Sequence, residues 1–476
     1  MGPENRQESS KQETVSRAFT TVDESVDALK AFYRGEPTNY YDRYDNKELV
    51  EAERAMAKRL GTDKVLLYNS GMSATTSVLE NLNLTAGDVL LYSPYVYEES
   101  KLYIENLRNL GIRCIEIDPG DTEKLQQLIK EHHPRAVFAE TMANDPKMQA
   151  LDTEALFKIA EEMNVKFKPK TMDEALAERL MKTPLIRKYV EVQAQLVGGD
   201  EAAVLAPLIP MFKKAQELIM ADKSVAGIKG LVDNLKKAGI PVEASDLSEL
   251  VQIIQRSWDV SRQKPLTLIL DNTIPTESIK GMGVEIKTTN APVIVVDSGT
   301  KFMAKDMATV GIVYTNNKDI MTGLYNWRAV DGGYLPRPSV ERLPQVSKEE
   351  FDQRNRNIIA NGKRLAEAFA KVVGRGDIIS VSHPNLPGHP NYDYVNKNMP
   401  NGSVAVFYIE CAKPAIEVCR KLEKMGLLGK IEYGGSFAFE KTRFGVFEAE
   451  GKTLRIAAGD ESPKDLEAIC EIIESL

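Results

Sequence analysis

A lysine at the end of an apolar strand is the first residue of this sequence that could do chemistry. The run VVDSGTKF at 295–302 predicts a strand that leads through small and hydroxyl residues to Lys301. A buried, unpartnered ammonium is costly, and a Schiff base with a carbonyl cofactor removes that cost. Ser298 and Thr300 offer hydroxyl groups to a phosphate. An exposed lysine that merely ends a strand is the alternative.

Two further segments place polar groups at the ends of predicted strands. In NSGMSATTSVL, 69–79, a strand is followed by a turn with glycine and then by a helix. The first backbone amides of that helix form either an anion site or an ordinary N-cap. In LILDNTIP, 268–275, Asp271 closes an apolar strand, and a buried carboxylate needs a partner. A protonated pyridine nitrogen is one such partner, and an aspartate that caps a turn is the alternative.

The composition excludes several classes of protein. Lys plus Arg is 61 and Asp plus Glu is 69, which gives a net charge of −8 and argues against a nucleic-acid surface. The four cysteines and four histidines lack the spacing of ligands, so we predict no metal site. The N-terminus has no signal-peptide pattern and no apolar run spans a membrane, so we expect a cytoplasmic protein.

The order of apolar patterns indicates the organisation of the chain. From residue 65 to about 164, short apolar runs alternate with amphipathic helices, which predicts βα units and a parallel sheet. The alternation stops near Phe167, and residues 168–263 are predicted to be nearly all helix. We therefore expect an N-terminal arm and helix (1–60), a large α/β domain (61–340) interrupted by the helical insertion 168–263, and a smaller C-terminal α/β domain (341–476).

With the phosphate turn, the aspartate and the lysine in this order, the sequence resembles a known family. It is similar to the Cys/Met-metabolism enzymes of the fold-type-I superfamily that depends on pyridoxal 5'-phosphate (PLP). These include cystathionine synthases and lyases, methionine γ-lyase and homoserine sulfhydrylases. The resemblance runs over most of the chain outside 168–263. It implies PLP as the cofactor and an α/β fold like that of fold-type-I PLP-dependent transferases.

The resemblance implies two groups of residues around the cofactor phosphate. YDRYDN matches a clamp that reaches the phosphate from a neighbouring subunit, which assigns Tyr41 and Arg43 to it. The Ser-Gly-Met turn implies that the backbone of Ser70, Gly71 and Met72 binds the phosphate. A clamp from a neighbour requires a homo-oligomer, and the resemblance implies a dimer of dimers.

Further motifs imply contacts with the cofactor ring. YEES corresponds to the segment whose tyrosine stacks on the ring, which makes Tyr97 that residue and a catalytic candidate. ETMAND resembles the segment that places Asn144 on the phenolic oxygen. The Asp-Asn-Thr motif implies Asp271 as the partner of the pyridine nitrogen.

The remaining motifs concern the lysine and the substrate. Ser-x-Thr-Lys implies Ser298 and Thr300 on the phosphate and Lys301 as the catalytic Schiff-base lysine. TLRIAAGDE implies that Arg455 binds the substrate carboxylate. Glu432 stands where the family usually has a small hydroxyl residue, and a carboxylate there would repel an acidic leaving group. Alternatively, Glu432 points elsewhere.

The reaction implied by the resemblance is β- or γ-elimination on a small amino acid, such as a cysteine, homocysteine, methionine or homoserine derivative. A γ-replacement transferase is the alternative, and a non-catalytic interaction protein on the same fold is a rival of another class.

The insertion joins a helix to the start of a strand, whereas the cofactor lies where strands end. We therefore expect the insertion to contact another subunit or protein rather than its own site.

Overall fold

The computed structural model divides the chain into two compact units, Met1–Asn164 with Leu266–Leu476 and Val165–Pro265. The residues it describes are 21–33, 46–165, 173, 176–177, 180–181, 183–196, 198–220, 224–243, 265–275, 286–344, 347–399 and 403–476. The finer division into 1–60, 61–340 and 341–476 stays a prediction.

The larger unit is built on a seven-stranded sheet. Its strands are β1 (Leu66–Tyr68), β2 (Val89–Tyr92), β3 (Arg113–Glu116), β4 (Ala136–Glu140), β5 (Thr267–Asp271), β6 (Val293–Asp297) and β7 (Gly311–Thr315). The spatial order is β1-β7-β6-β5-β4-β2-β3. Strands β2 to β6 pair in parallel and β7 is antiparallel to both of its neighbours. The predicted α/β class with a mainly parallel sheet is confirmed.

Helices cover this sheet and form the smaller unit. They are, in chain order, α1 (Val22–Tyr33), α2 (Lys47–Leu60), α3 (Gly71–Asn81), α4 (Glu98–Asn109), α5 (Thr122–His132), α6 (Thr153–Val165), α7 (Pro184–Leu196), α8 (Glu201–Leu205), α9 (Leu208–Met220), α10 (Ser224–Lys237), α11 (Lys318–Asp331), α12 (Arg337–Glu341), α13 (Lys348–Ala370), α14 (Tyr392–Asn398), α15 (Ala415–Leu422) and α16 (Pro463–Glu474). No helix in these described ranges is long and apolar enough to cross a membrane.

A second sheet lies in the C-terminal part of the larger unit. Its strands are β8 (Ile378–Ser382), β9 (Val406–Cys411), β10 (Glu432–Tyr433), β11 (Arg443–Val446) and β12 (Thr453–Ala457), in the order β10-β11-β12-β9-β8. A shared apolar core joins β9 and β12 to α13 and α16. Ser347 and Glu350 form a capping box that starts α13.

The described part of the smaller unit contains α7 to α10, the turns between them and a few helical residues before α7. Its helices pack around their own apolar core, which includes Ile186, Phe212 and Leu235. Its described residues form helices joined by turns, with no strand among them, which agrees with the pattern of the sequence. The helix caps that the sequence suggests at Thr171 and Ser245 lie outside the described residues.

The register of the parallel strands brings polar residues to one edge of the seven-stranded sheet. Glu140 at the end of β4 is paired with Asp271 at the end of β5, and Asp271 is paired with Val296 of β6. Asp297 then ends β6, four residues before Lys301. Three consecutive strand ends therefore present carboxylates at the same edge.

At the opposite edge of this sheet, where the parallel strands begin, two hydrogen bonds join the two residues between which the smaller unit is inserted. The Asn164 side-chain amide donates to Leu266 O at 2.9 Å, and Leu266 N donates to Asn164 Oδ1 at 2.9 Å. Leu266 immediately precedes β5, and Asn164 lies in the last turn of α6. The segment between them therefore leaves and re-enters the larger unit at one place.

Candidate cofactor site

A cavity of about 260 Å³ lies where β4, β5 and β6 end. Most of the residues that the sequence analysis proposes for the site line it: Ser70, Gly71, Met72, Tyr97, Asn144, Asp271, Ser298, Thr300, Lys301 and Arg455. They come from both sheets, since Arg455 lies on β12. The chain therefore brings segments separated by several hundred residues to one cavity.

One wall of the cavity is the first turn of α3. Ser70 is its N-cap, and Ser70 Oγ accepts a hydrogen bond from Ser73 N at 3.0 Å. A side chain at Gly71 would place its Cβ 3.0 Å from Ser298 Cβ, so a glycine lets the two segments approach closely. The amide groups at the start of α3 and the Ser298 hydroxyl group thus lie together, as an anion site requires.

Hydrogen bonds from backbone groups hold the segment that carries Ser298 and Thr300. Ser298 N donates to Thr273 Oγ1 at 2.8 Å. Thr300 Oγ1 accepts from Val310 N at 2.8 Å and lies 3.3 Å from Val310 O. Thr300 therefore fixes the turn before Lys301 through its hydroxyl group, and its contact with phosphate stays a prediction.

Lys301 lines the cavity, and a hydrogen bond fixes the position of its amine. Its Nζ donates to Ser436 Oγ at 3.0 Å and lies 5.6 Å from the centre of the Phe437 ring. Burial lowers the pKa of Lys301, the charge of Asp306 raises it, and the charge of Arg455 lowers it, with a net decrease. A larger fraction of neutral amine favours attack on a carbonyl group.

The Asp271 carboxyl group at the end of β5 has one backbone partner in the described structure. Thr273 N donates to Asp271 Oδ1 at 3.0 Å. Burial raises the pKa of Asp271, although the hydrogen bonds from Thr273 lower it again. A cation beside this carboxylate would stabilise its charged form, which fits the protonated ring nitrogen of PLP.

The sequence analysis missed Glu140, which positions two of the proposed site residues. Glu140 Oε1 accepts from Tyr97 N at 2.7 Å, and Glu140 Oε2 accepts from Asn144 N at 3.1 Å. Burial, reinforced by the charge of Asp271, raises the pKa of Glu140 well above its usual range. Asn144 is further held by the Tyr408 hydroxyl group, which donates to Asn144 Oδ1 at 2.9 Å. A carboxylate at the end of an apolar strand is the signal that could have found Glu140.

Arg455 presents a buried guanidinium to the same cavity. The side chain is 7% exposed, and its carbon Cζ lies 4.7 Å from the centre of the Phe447 ring. Within the described part of the chain, its Nη2 is buried and has no hydrogen-bond partner. A buried, unsatisfied donor on a cation is costly. A carboxylate from a ligand would satisfy it.

Two of the proposed residues are not described by the structure, and a third does not line the cavity. Tyr41 and Arg43 lie outside the described residues. Glu432 is not among the residues that line the cavity. Its side chain is 46% exposed, and its Oε2 accepts from Arg443 Nε at 3.0 Å. The proposed contact of Glu432 with substrate stays a prediction, and in this structure its carboxylate faces a cation of its own.

The donor set of the cavity fits PLP. The first turn of α3 with Ser298 would hold the phosphate, Asp271 would face the ring nitrogen, and Lys301 would bind the carbonyl carbon. Arg455 Nη2, which has no hydrogen-bond partner in the part of the chain that the structure describes, remains for a carboxylate. Comparison with known proteins agrees, because residues 1–192 match the family model of the Cys/Met metabolism PLP-dependent enzyme. The chain is similar to this family over those residues, which are less than half of its length.

Members of the family align with parts of this chain. An O-acetyl-L-homoserine sulfhydrylase from Corynebacterium glutamicum is 30% identical over 146 residues, which is 30% of this chain and 32% of that protein. A cystathionine gamma-lyase from Saccharomyces cerevisiae is 24% identical over 246 residues, which is 47% of this chain and 58% of that protein. The chain thus spans about a third of the length of the former relative and somewhat more than half of the latter.

Solved structures with the same fold cover nearly the whole chain. A putative O-acetylhomoserine (thiol)-lyase from Campylobacter jejuni superposes with a TM-score of 0.62 at 17% identity, covering 97% of this chain and 94% of that one. A cystathionine gamma synthase from Xanthomonas oryzae gives 0.59 at 15% identity, covering 97% and 92%. At these identities the likeness establishes the fold-type-I architecture alone.

Proposed function

We propose that this protein is a PLP-dependent lyase of the carbon–sulfur type and a member of the family that its first 192 residues match. It would catalyse β- or γ-elimination on a sulfur- or oxygen-substituted amino acid, such as a cysteine, homocysteine, methionine or homoserine derivative. One observation carries the proposal: the Lys301 amine and the Arg455 guanidinium line the cavity whose other walls fit PLP, and Arg455 Nη2 has no hydrogen-bond partner among the described residues. An amino acid has the carboxylate that Arg455 would bind and the Cα proton that Lys301 would move.

Each residue has a separate task in this proposal. Bound in the cavity, PLP would supply an electron sink for charge that develops at the substrate Cα. Lys301 would hold and move protons at Cα and Cβ, and its lowered pKa increases the fraction of neutral amine that can accept a proton. Arg455 would bind the substrate carboxylate and so orient the Cα–H bond. Glu140 would keep Tyr97 and Asn144 in place through its two carboxylate oxygens.

A γ-replacement transferase is the second candidate, and the names of the relatives favour it as much as they favour elimination. Some relatives are named cystathionine gamma-synthase or sulfhydrylase, and others cystathionine or methionine gamma-lyase. Replacement needs a second substrate that attacks Cγ, whereas elimination releases a 2-oxoacid from a single amino acid. The two reactions therefore differ in whether turnover requires an added thiol.

A substrate screen separates these candidates. Purified protein with PLP is incubated with cysteine, homocysteine, methionine, cystathionine and acylated homoserines, each with and without an added thiol. Release of 2-oxoacid without thiol supports elimination. Thioether formation that depends on thiol supports replacement. A protein that shows neither product and no absorbance of bound PLP would contradict the proposal and favour a non-catalytic interaction protein.

We propose further that the chain is a cytoplasmic homo-oligomer, as a dimer of dimers. The proposal rests on the match of Tyr41 and Arg43 to a clamp from a neighbouring subunit. In this proposed assembly, the helical insertion contacts another subunit or another protein. Light scattering of the purified protein tests the assembly, and a monomeric mass at micromolar concentration would contradict it.

Arg455→Lys should raise KM for the amino-acid substrate about tenfold or more and leave bound PLP unchanged. A lysine keeps the charge but cannot offer two parallel N–H donors to a carboxylate. Arg443→Lys is the matched control, because Arg443 lies on the adjacent strand and pairs with Glu432 at 3.0 Å. Steady-state kinetics of both variants check the prediction. Equal KM values for Arg455→Lys and wild type would remove Arg455 from the substrate site.

Replacing residues 168–263 by a short Gly/Ser linker should give a soluble protein that still binds PLP. The larger unit closes the gap by itself, since Asn164 and Leu266 are joined by two hydrogen bonds of 2.9 Å. The cost of loop closure changes slowly with length, so a shorter connection is tolerated. The visible spectrum and the light-scattering mass of the deletion protein check this. A soluble deletion protein with wild-type assembly and no bound PLP would show that the insertion shapes the site.

A further inference from the structure

Lys301 is joined to the protein surface by two consecutive hydrogen bonds. Its Nζ donates to Ser436 Oγ at 3.0 Å, and Ser436 Oγ donates to Asp306 Oδ1 at 3.2 Å. Lys301 and Ser436 are partly buried, whereas Asp306 is exposed. Ser436 follows Gly435, which lines the cavity. A cation at the cavity is thus connected through one hydroxyl group to an anion at the surface.

The backbone takes an unfavourable conformation to place this carboxylate. Asp306 has a φ of 59° and Lys305 a φ of 50°, both in the left-handed region that side chains other than glycine rarely adopt. Hydrogen bonds hold the turn, from Asp306 N to Thr300 O and from Ala304 N to Gly299 O, each at 2.8 Å. Aspartate tolerates this conformation better than lysine does, so the turn bears most of its strain at Lys305, directly before the carboxylate.

We propose that Ser436 and Asp306 are positioning residues for Lys301, forming a hydroxyl–carboxylate relay that fixes the direction of its amine and stabilises its charged form. The inference rests on the proposed function insofar as Lys301 is the amine that acts there. It deepens that function by assigning tasks to two residues that the family match does not assign. The relay joins residues that are 130 and 135 positions apart in the chain.

The charges around Lys301 determine whether loss of the relay raises or lowers the pKa of its amine. The Asp306 carboxylate raises the pKa of Lys301, whereas burial and the Arg455 charge lower it. The other titratable groups that line the cavity are Tyr97, Glu140, Asp271 and Asp297. Asp306 does not line the cavity, but the relay connects its carboxylate to the amine. Loss of its charge should therefore lower the pKa of Lys301 and increase the fraction of neutral amine at a given pH.

The test measures Lys301 directly in the full-length protein freed of PLP. A small acylating reagent labels lysines at a series of pH values, and peptide mass spectrometry follows the label on Lys301. In Asp306→Asn and Ser436→Ala, the labelling profile of Lys301 should move to lower pH. At pH 7 labelling should be about threefold faster or more, which corresponds to a pKa lowered by about half a unit. Asparagine tolerates the left-handed backbone, so Asp306→Asn preserves the turn.

Two matched variants complete the test. Ser436→Thr keeps the hydroxyl group and should restore the wild-type profile. Glu440→Gln removes a carboxylate that pairs with Lys305 at 3.3 Å and lies outside the relay, so its profile should match wild type. An unchanged profile in Asp306→Asn, or an equal shift in Glu440→Gln, would overturn the relay. Because PLP is absent from the measurement, failure of the proposed function would appear separately, as loss of PLP binding or turnover by wild-type protein.

Discussion

Lys301→Ala is expected to abolish the visible absorbance of bound PLP and to lower turnover about 10³-fold or more. The variant loses the covalent partner of the cofactor and the group that moves protons, and no other lysine lines the cavity among the described residues. The measurements are the visible spectrum after dialysis and the rate of product release. A variant that retains the visible band after dialysis and borohydride treatment would contradict the assignment.

Lys305→Ala provides the matched control for this variant. Lys305 lies four residues further along the same turn and pairs with Glu440 at 3.3 Å. It does not appear among the residues that line the cavity. The control should therefore bind PLP and turn over substrate like wild type. Equal losses in both variants would indicate that the turn collapsed and that Lys301 itself had not been tested.

Asp271→Asn is expected to lower kcat about 10²-fold or more while the protein remains folded. The carboxylate lies at the end of β5, where burial raises its pKa and a positively charged partner would stabilise it. The electron sink depends on a protonated ring nitrogen, and a loss of about 3 kcal/mol of transition-state stabilisation corresponds to about 10²-fold in rate. Asparagine keeps the size of the side chain and removes the charge, so the ring nitrogen would lose the anion that keeps it protonated.

Asp118→Asn is the matched control for Asp271→Asn. Asp118 follows β3 and accepts a hydrogen bond from the Tyr95 hydroxyl group at 3.0 Å, outside the lining of the cavity. Its substitution should leave kcat unchanged. Steady-state kinetics together with thermal unfolding compare the two variants. Wild-type kcat in Asp271→Asn would mean that the aspartate only caps its turn, the alternative that the sequence left open.

The polar strand ends could be predicted because two simple patterns coincide there. Buried parallel strands appear in the sequence as continuous apolar runs, and a charged or hydroxyl residue after such a run stands out. Asp271 and Lys301 were found in this way, and the register of β4, β5 and β6 confirms that their strands end at one edge. The direction of β7 was not predictable, because an apolar run does not encode parallel or antiparallel pairing.

Contacts between distant parts of the chain could not be predicted from local patterns. Glu140 ends the run AVFAE as Asp271 ends its own run, yet its task depends on backbone amides of Tyr97 and Asn144. The hydrogen bond from Lys301 to Ser436 spans 135 residues. Each of these contacts arises from the tertiary fold, so sequence spacing carries no trace of it.

The structure supports the role that the resemblance implies for Arg455 more than it supports the role implied for Glu432. Arg455 was assigned from a sequence motif that lies on a strand. In the structure its Nη2 is buried and has no hydrogen-bond partner among the described residues. Glu432 was singled out because it differs from the residue usual in the family motif. In the structure its carboxylate forms an ion pair with Arg443. A departure in sequence shows which residue is unusual, but the direction of its side chain depends on neighbours that come from another strand.

Reduction of the wild-type protein with borohydride in the presence of PLP, followed by digestion and peptide mass spectrometry, tests the central claim most directly. If Lys301 holds the cofactor, we expect one pyridoxyl mass addition, on the peptide that contains Lys301, with loss of the visible band on reduction. The Lys301→Ala protein should acquire no such addition. A pyridoxyl group on a different lysine of the wild-type protein, or none despite a visible band of bound PLP, would contradict it.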